Sequence, residues 1–453
     1  MQATSVISVT ADEQPILVYG TDMDQPTLLP DDTTDSTIIF TSMSYDTVYW
    51  DQRDLFIDNP EVQLVKLRTE QELRDLTLIQ VQQVIRPGTR FPTKSNILEI
   101  MSLIEKLQTK YVSMIPEWLR AYNLLYNVST EGVLAQPGFV ELENFGARTR
   151  ETVEAALPVE FSKDNFIVQH TYKPRTKDSA TSFAKAFFSN PDNVQYTEHS
   201  KKKDRFLRFY DECARYNSEV ADNSSAFAEL ESFRQSVMMI ENVEFLKAQL
   251  NLPPTADFTP LDLESAYSAC AFDVALYNTY SNWCSLLNND VVRVLDFVED
   301  LGNFYEKGPG YKINYEISAV LLKDVFGFMK DLITGKTQVV GNFRFAHAET
   351  TLPLMTLIGY SDHTPLLASF TADEIAFRGF RTSVLAPLAA NIDFRLYKSK
   401  SDSSKHFVQV LVNERVAPVP GCNGAVFCEL SKIEELWGYY LTTYDFDADC
   451  KLN

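Results

Sequence analysis

Leu78-Ile-Gln-Val-Gln-Gln-Val-Ile85 is a run of mostly apolar side chains that stops at Arg86-Pro87-Gly88. Proline removes a backbone N–H there and glycine loosens the chain, so the pattern predicts a buried strand followed by a loop. Helical spacing follows at Ile97, Ile100, Met101, Ile104 and Leu107, with Ser95 as the expected N-cap. The same order recurs twice. Phe166-Ile-Val168 runs into Lys173-Pro-Arg175 and then a helical face of Ala180, Phe183, Ala184 and Phe187. Val339-Val-Gly-Asn-Phe-Arg-Phe345 runs into His347-Ala-Glu349 and a helix carrying Leu354, Leu357 and Ile358.

Three strand-to-helix turns predict an α/β fold, a sheet flanked by helices with its site at the strand ends. Residues 1–60, rich in Asp, Thr, Ser and Pro, read as an irregular arm. Residues 61–190 and 320–453 read as the α/β core. Between 191 and 319 the spacing turns helical, as in Ser225-Ala-Phe-Ala-Glu-Leu-Glu-Ser-Phe233, which reads as an inserted α-helical domain. Alternation returns in Ile392-Asp-Phe-Arg-Leu396 and His406-Phe-Val-Gln-Val-Leu-Val412, and Ser401-Asp-Ser-Ser404 between them predicts a hairpin.

Composition narrows the partners. The 453 residues carry a formal charge of -21, which argues against a nucleic-acid groove or an anionic membrane surface. Any anionic ligand then needs a local basic pocket. No apolar run approaches the roughly 18 residues of a membrane span. The opening Met1-Gln-Ala-Thr-Ser has no apolar stretch of the signal-peptide kind, so a secreted or lumenal protein would have lost its leader. Six cysteines suit that compartment. Nearness in sequence pairs Cys270 with Cys284 and Cys422 with Cys428, leaving Cys213 for Cys450; other connectivities, and six free buried thiols, remain alternatives. Asn127-Val-Ser and Asn223-Ser-Ser are acceptor sequons of the kind that also arise by chance. No metal-ligand cluster, glycine-rich nucleotide loop or Ser-His-Asp spacing stands out, so no cofactor is expected.

The chemistry concentrates in Arg86-Pro87-Gly88-Thr89-Arg90-Phe91-Pro92, at the end of the first strand. Two guanidinium groups four residues apart on a tight loop can converge on one phosphate, and the following helix start would add backbone N–H groups. Surface ion pairing is the blander reading of the same arginines.

The loop resembles the Arg-His-Gly-x-Arg-x-Pro motif of histidine acid phosphatases at every position but Pro87. Arg175-Thr-Lys-Asp-Ser-Ala-Thr-Ser-Phe183 is similar to their second phosphate-binding element, and His347-Ala348-Glu349 to the acid-donor motif of the multiple inositol polyphosphate phosphatase branch. Leu207-Arg-Phe-Tyr-Asp-Glu-Cys213, Trp283-Cys-Ser-Leu286, Gly310-Tyr-Lys-Ile-Asn314, Val412-Asn-Glu414 and Pro420-Gly-Cys422 resemble further fragments of that branch, in order along the chain.

The resemblance implies that Arg86, Arg90 and Arg175 hold a phosphate and that His347 bonds it from the opposite wall. It also puts Glu349 at the acid-donor position, where the alternative reading is a carboxylate favoured by a helix N-terminus. Lys201, Lys202 and Lys203 would reach outer phosphates, or else form a solvated face. Pro87 falls where the family places its nucleophilic histidine. A proline nitrogen, tied up in the amide bond, has no lone pair to attack phosphorus, and losing a nucleophile cost another hydrolase on the order of 10⁶ in turnover. The expectation is therefore a pseudophosphatase that binds a small anion, such as an inositol polyphosphate or phosphate, without hydrolysis. The alternatives are a weak phosphatase, a substitution engineered at position 87, and a secreted carrier or structural protein using the scaffold for calcium or an apolar or pigment ligand.

Overall fold

The computed structural model describes residues 73–452; the arm expected at residues 1–60 lies outside the described residues. Eight strands form one mixed sheet: β1 (Leu76–Ile85), β2 (Phe166–His170), β3 (Tyr196–Glu198), β4 (Gly341–Phe345), β5 (Asn391–Ser399), β6 (His406–Val412), β7 (Arg415–Ala417) and β8 (Cys428–Glu429). Their order is β3-β2-β4-β1-β5-β6-β7, with β8 beside β6. β3, β2, β4 and β1 run parallel, whereas β5 and β6 form the antiparallel hairpin that the alternation predicts.

Register matters most for function. Ile85 pairs with Phe345, and Phe345 with His170, so β1, β4 and β2 end level. The three segments that leave those ends begin at Arg86, Ala346 and Thr171. Such a row of strand ends is where open α/β sheets place their ligands.

The principal helices are α1 (Lys94–Lys110), α2 (Gln136–Val153), α3 (Pro174–Phe187), α4 (Ala228–Arg234), α5 (Val237–Gln249), α6 (Pro260–Tyr277), α7 (Asn289–Glu306), α8 (Ala319–Ile333) and α9 (Ala348–Leu357). α1 starts after Thr93, whose hydroxyl accepts the Asn96 N–H, two residues earlier than the cap expected at Ser95. Its buried stripe is Ile97, Ile100, Leu103, Ile104 and Leu107, while Met101 is 44% exposed. A helix advances about 100° per residue, so Met101 lies off the stripe that Leu103 completes.

Between Pro191 and Ser318 the chain is helical apart from β3 and short turns. The apolar sides of α5, α6 and α7 pack with α1 and with residues 366–386 around Trp283, Phe297 and Phe304. One face of the sheet packs against α2 and α3 through a cluster of phenylalanines, among them Phe166, Phe183, Phe187 and Phe343. The other packs against α8 and α9.

β1 stays buried despite three glutamines because each amide nitrogen has an acceptor. Gln80 and Gln82 donate to the Val339 and Val325 carbonyls at 2.7 Å, and Gln83 to Asp393 at 3.1 Å. The disulfides are Cys213–Cys450, Cys270–Cys284 and Cys422–Cys428, the pairing expected from the sequence. Among the described residues no helix is long and apolar enough to cross a membrane.

Candidate functional site

Arg86 leaves β1 with its backbone N–H on the Ala390 carbonyl (2.7 Å), and the Pro87 carbonyl accepts the Ala389 N–H (2.8 Å). The Arg86 guanidinium donates to the Ala386 carbonyl and is almost wholly buried. Segment 386–390 thus fixes both ends of this arginine.

The loop is pressed onto the first turn of α2. A Cβ at Gly88 would lie 2.5 Å from the Gly138 carbonyl oxygen, and one at Gly138 would lie 2.2 Å from that of Thr89, so both positions need glycine. The loop's N–H groups turn away from the cavity: that of Gly88 points to Ser179 (3.4 Å) and that of Thr89 to Glu141 (2.7 Å). At the start of α1 the Asn96 N–H is likewise taken, by the Thr93 hydroxyl.

Arg175 belongs to the first turn of α3, and His347 caps α9. One ring nitrogen of His347, Nδ1, faces Arg175 at 3.4 Å, and the other, Nε2, faces the Thr171 hydroxyl at 2.9 Å. A guanidinium only donates, so Nδ1 accepts and Nε2 carries the proton. Burial, then the Arg175 charge, hold the imidazolium form well below its ordinary range, so this ring is neutral at neutral pH.

Glu349 lies one residue into α9. Burial pushes its carboxyl up, but the Lys307 ammonium beside it wins and holds it well below the usual carboxylate range. Lys307, just past the end of α7, is buried with Nζ 2.9 Å from Glu306 and 3.5 Å from Glu349. Glu349 is thus an ionised carboxylate in the first turn of α9.

Arg86, Pro87, Arg90, Arg175, His347 and Glu349 all line one cavity of about 350 Å³. The lining also includes Val298, Glu299, Asn303 and Glu306 of α7, Lys307 just beyond it, and Leu230, Arg234 and Tyr267. Arg234 is bonded to Glu231 and Glu264. Lys201, Lys202 and Lys203 do not line this cavity; they are exposed, with Lys201 over the ring of Tyr172.

Sequence reasoning missed Lys307, Arg234 and Glu141. Lys307 sits in Glu306-Lys307-Gly308-Pro309, which reads only as a helix end with a cation near the dipole. All six cysteines are in disulfides. Asn127 is exposed, and Asn223 is half-buried with its amide on the Glu219 carbonyl. Among the described residues no group of three His, Cys, Asp or Glu side chains could hold a metal ion.

The sequence profile described as "Histidine phosphatase superfamily (branch 2)" matches residues 77–413. Multiple inositol polyphosphate phosphatase 1 of Homo sapiens is 27% identical over 412 residues, covering 83% of this chain and 82% of that protein. Among solved structures, the phytase from D. castellii superposes with a TM-score of 0.72 at 16% identity, covering 97% of this chain and 95% of that one. The Bifidobacterium longum multiple inositol polyphosphate phosphatase, in complex with inositol hexasulfate, gives 0.63 at 18% identity, covering 78% and 90%.

Proposed function

Because the chain belongs to the histidine phosphatase superfamily, branch 2, whose members are phosphatases, we propose that it is a non-hydrolysing receptor for a phosphorylated ligand of the inositol polyphosphate type. In this reading Arg86, Arg90 and Arg175 hold one phosphate, Lys307 approaches it from α7, and Pro87 occupies the place of the family's nucleophilic imidazole.

The observation that carries the reading is the cavity's own inventory. Its lining includes one imidazole, His347, and that ring is neutral with both nitrogens engaged by Thr171 and Arg175. No cysteine is free to replace it. The other lining hydroxyls are that of Thr93, which bonds Ser95 and Asn96, and those of Tyr267 and Ser268; a nucleophile of the usual kind pairs such a hydroxyl with an imidazole base. Arg86, Arg90 and Arg175 still line the cavity, and guanidinium groups match phosphate oxygens in charge and shape.

Three disulfides suit an oxidising compartment, in keeping with a secreted or lumenal protein. Asn127 would accept a glycan at the surface, whereas at Asn223 the glycan would compete with the amide's bond to Glu219.

The test is a calorimetric titration of inositol hexakisphosphate at near-neutral pH, paired with an assay of phosphate release. Saturable one-site binding without release, lost in Arg86→Ala and Arg175→Ala, is expected. Absence of saturable binding would sink the receptor reading, and sustained release would return the chain to the enzymes.

A further inference from the structure

Val412-Asn-Glu414 does not line the arginine cavity. It closes the hairpin between β6 and β7, where Val412 pairs with Arg415 and both residues between them are left-handed, Asn413 at φ 49° and Glu414 at φ 65°. The second position of such a turn usually takes glycine. Glutamate stands there instead, and its carboxylate accepts two bonds of 2.6 Å from Arg148 of α2. This pair borders a second cavity, of about 170 Å³, between α2 and the strands β1, β5 and β6. The two cavities have no lining residue in common.

The second cavity has a polar wall where a sheet packed on a helix is normally apolar. Gln83 of β1 and Asp393 of β5 sit opposite each other in the sheet, 1% and 2% exposed. Gln83 Nε2 donates to Asp393 Oδ2 (3.1 Å), and Arg395 Nε donates to the same oxygen (2.8 Å). Gln83 Oε1 and Asp393 Oδ1 then have no hydrogen-bond partner among the described residues. Turning the Gln83 amide over would set its oxygen against a carboxylate oxygen, so the open end of this side chain is an acceptor. Buried acceptors are rarely left open. Here two of them, on side chains bonded to each other, border one cavity.

Size and charge say what complements them. At roughly 15 Å³ for each water-sized probe, the space takes on the order of ten non-hydrogen atoms. A cation would meet the guanidinium groups of Arg148 and Arg395, and an anion the carboxylates of Asp393 and Glu414. A neutral molecule with two neighbouring donors avoids both. Adjacent hydroxyls on a carbon ring meet that need, because they donate to the two open oxygens while the ring's C–H groups face Phe145 and Leu411, the apolar part of the lining.

We propose that Gln83, Asp393 and Arg395, with Phe145 and Leu411, form a binding site for a neutral polyol of monosaccharide or cyclitol size. The site is separate from the arginine cavity and does not depend on whether that cavity binds a phosphate.

The test uses the full chain with glucose, galactose and myo-inositol as probes, titrated by ligand-observed NMR, and a crystal structure at saturating concentration of any probe that binds. At least one should bind saturably with a dissociation constant of about 1 mM or tighter, and inositol hexakisphosphate should not displace it. Two of its hydroxyls should lie on Gln83 and Asp393. Gln83→Met keeps the side chain's length and removes its acceptor, so affinity should fall about tenfold, the scale of one lost hydrogen bond to a buried group. The crystal structure of the unaltered protein decides the matter even where that variant fails to fold. Failure of all three probes to bind would overturn the proposal, as would only ordered waters on Gln83 and Asp393. Displacement of every bound probe by the hexakisphosphate would place it in the arginine cavity instead, and unchanged affinity in a folded Gln83→Met would remove the amide from the site; either result overturns the proposal.

Discussion

Glu141 and Thr89 meet through two hydrogen bonds of 2.7 Å, the carboxylate of one accepting both the backbone N–H and the hydroxyl of the other. Beneath the arginine loop this carboxylate is buried, and burial pushes its pKa up while Thr89 and Arg86 act to hold it down. It fixes the loop from behind and does not line the cavity.

Glu141→Ala would leave the Thr89 N–H buried without its acceptor. Charge-assisted bonds contribute about 1.5–3 kcal/mol each, so the variant should lose about 3 kcal/mol of unfolding free energy and bind anions more weakly. Glu141→Gln keeps one acceptor, offers its amide to the Thr89 hydroxyl, and removes a negative charge near Arg86. It should lose less stability and bind anions more tightly. Denaturant unfolding and calorimetric titration read both effects; affinity moving the same way in the two variants would show that the carboxylate does not position the loop.

Pro87→His asks whether only the nucleophile is missing. The contacts around residue 87, from Ala389 to its carbonyl and from Arg86 to Ala390, do not involve the proline ring and would survive. Glu349, however, is held ionised beside Lys307 and is a poor proton donor. The variant should therefore release phosphate from p-nitrophenyl phosphate, whose leaving group departs unprotonated, at about tenfold or more above the unaltered protein. Release from inositol hexakisphosphate should stay near background. Equal gains on both would mean that Glu349 takes up a proton once ligand is bound, and no gain on either that phosphate is not aligned with residue 87.

The strands and helices around the site were legible because their signals are local. A run such as Leu78–Ile85 ending at Pro87-Gly88 predicts both the strand and the loop. Arg86, Arg90, Arg175, His347 and Glu349 each stand at a motif, and the level ends of β1, β2 and β4 bring them together. What stayed hidden depends on distant pairing. Nothing near Glu141 in sequence says that it will sit under Thr89, fifty-two residues away in sequence, and Lys307 reads as an ordinary helix-end cation until α7 is laid against α9. Met101 failed for a simpler reason: apolar spacing over a short helix admits more than one stripe, and packing chose Leu103.

Asp273 sets a pH dependence that is independent of any ligand. It is buried in α6, and burial alone pushes its carboxyl up to about 7, against about 4 in an unfolded chain. Between those values the folded state holds a proton that the unfolded state has lost, so unfolding free energy falls as pH rises from about 4 to about 7. Asp273→Asn lacks this titration. Its stability relative to the unaltered protein should rise by on the order of 1–3 kcal/mol between pH 4.5 and pH 7.5, by urea unfolding at the two pH values. A difference that is the same at both would contradict the assignment.

Arg378 is fully buried, and its guanidinium donates to Asp296 and Asp300 of α7 and to the Ile375 carbonyl. Asp300 also accepts the Thr382 N–H at 2.7 Å. The segment from Thr382 leads to Ala386, whose carbonyl holds the Arg86 guanidinium, and α7 carries Glu306 and ends beside Lys307. One guanidinium therefore joins the cavity's α7 wall to the anchor of its first arginine. Burial and the Asp300 charge already push the Asp296 carboxyl up, with Arg378 and then Arg381 opposing. Arg378→Met would remove the main opposing charge and should cost about 3–5 kcal/mol, the usual consequence of breaking a buried ion pair from one side. Lower pH would then protonate the stranded Asp296 carboxylate, so the deficit should narrow between pH 7.5 and pH 5, and adding Asp296→Asn should recover part of it at pH 7.5. Denaturant unfolding of the single and double variants at both pH values measures this. A deficit indifferent to pH and to the asparagine would make Arg378 a packing residue, and the coupling of α7 to Arg86 would then run through shape rather than charge.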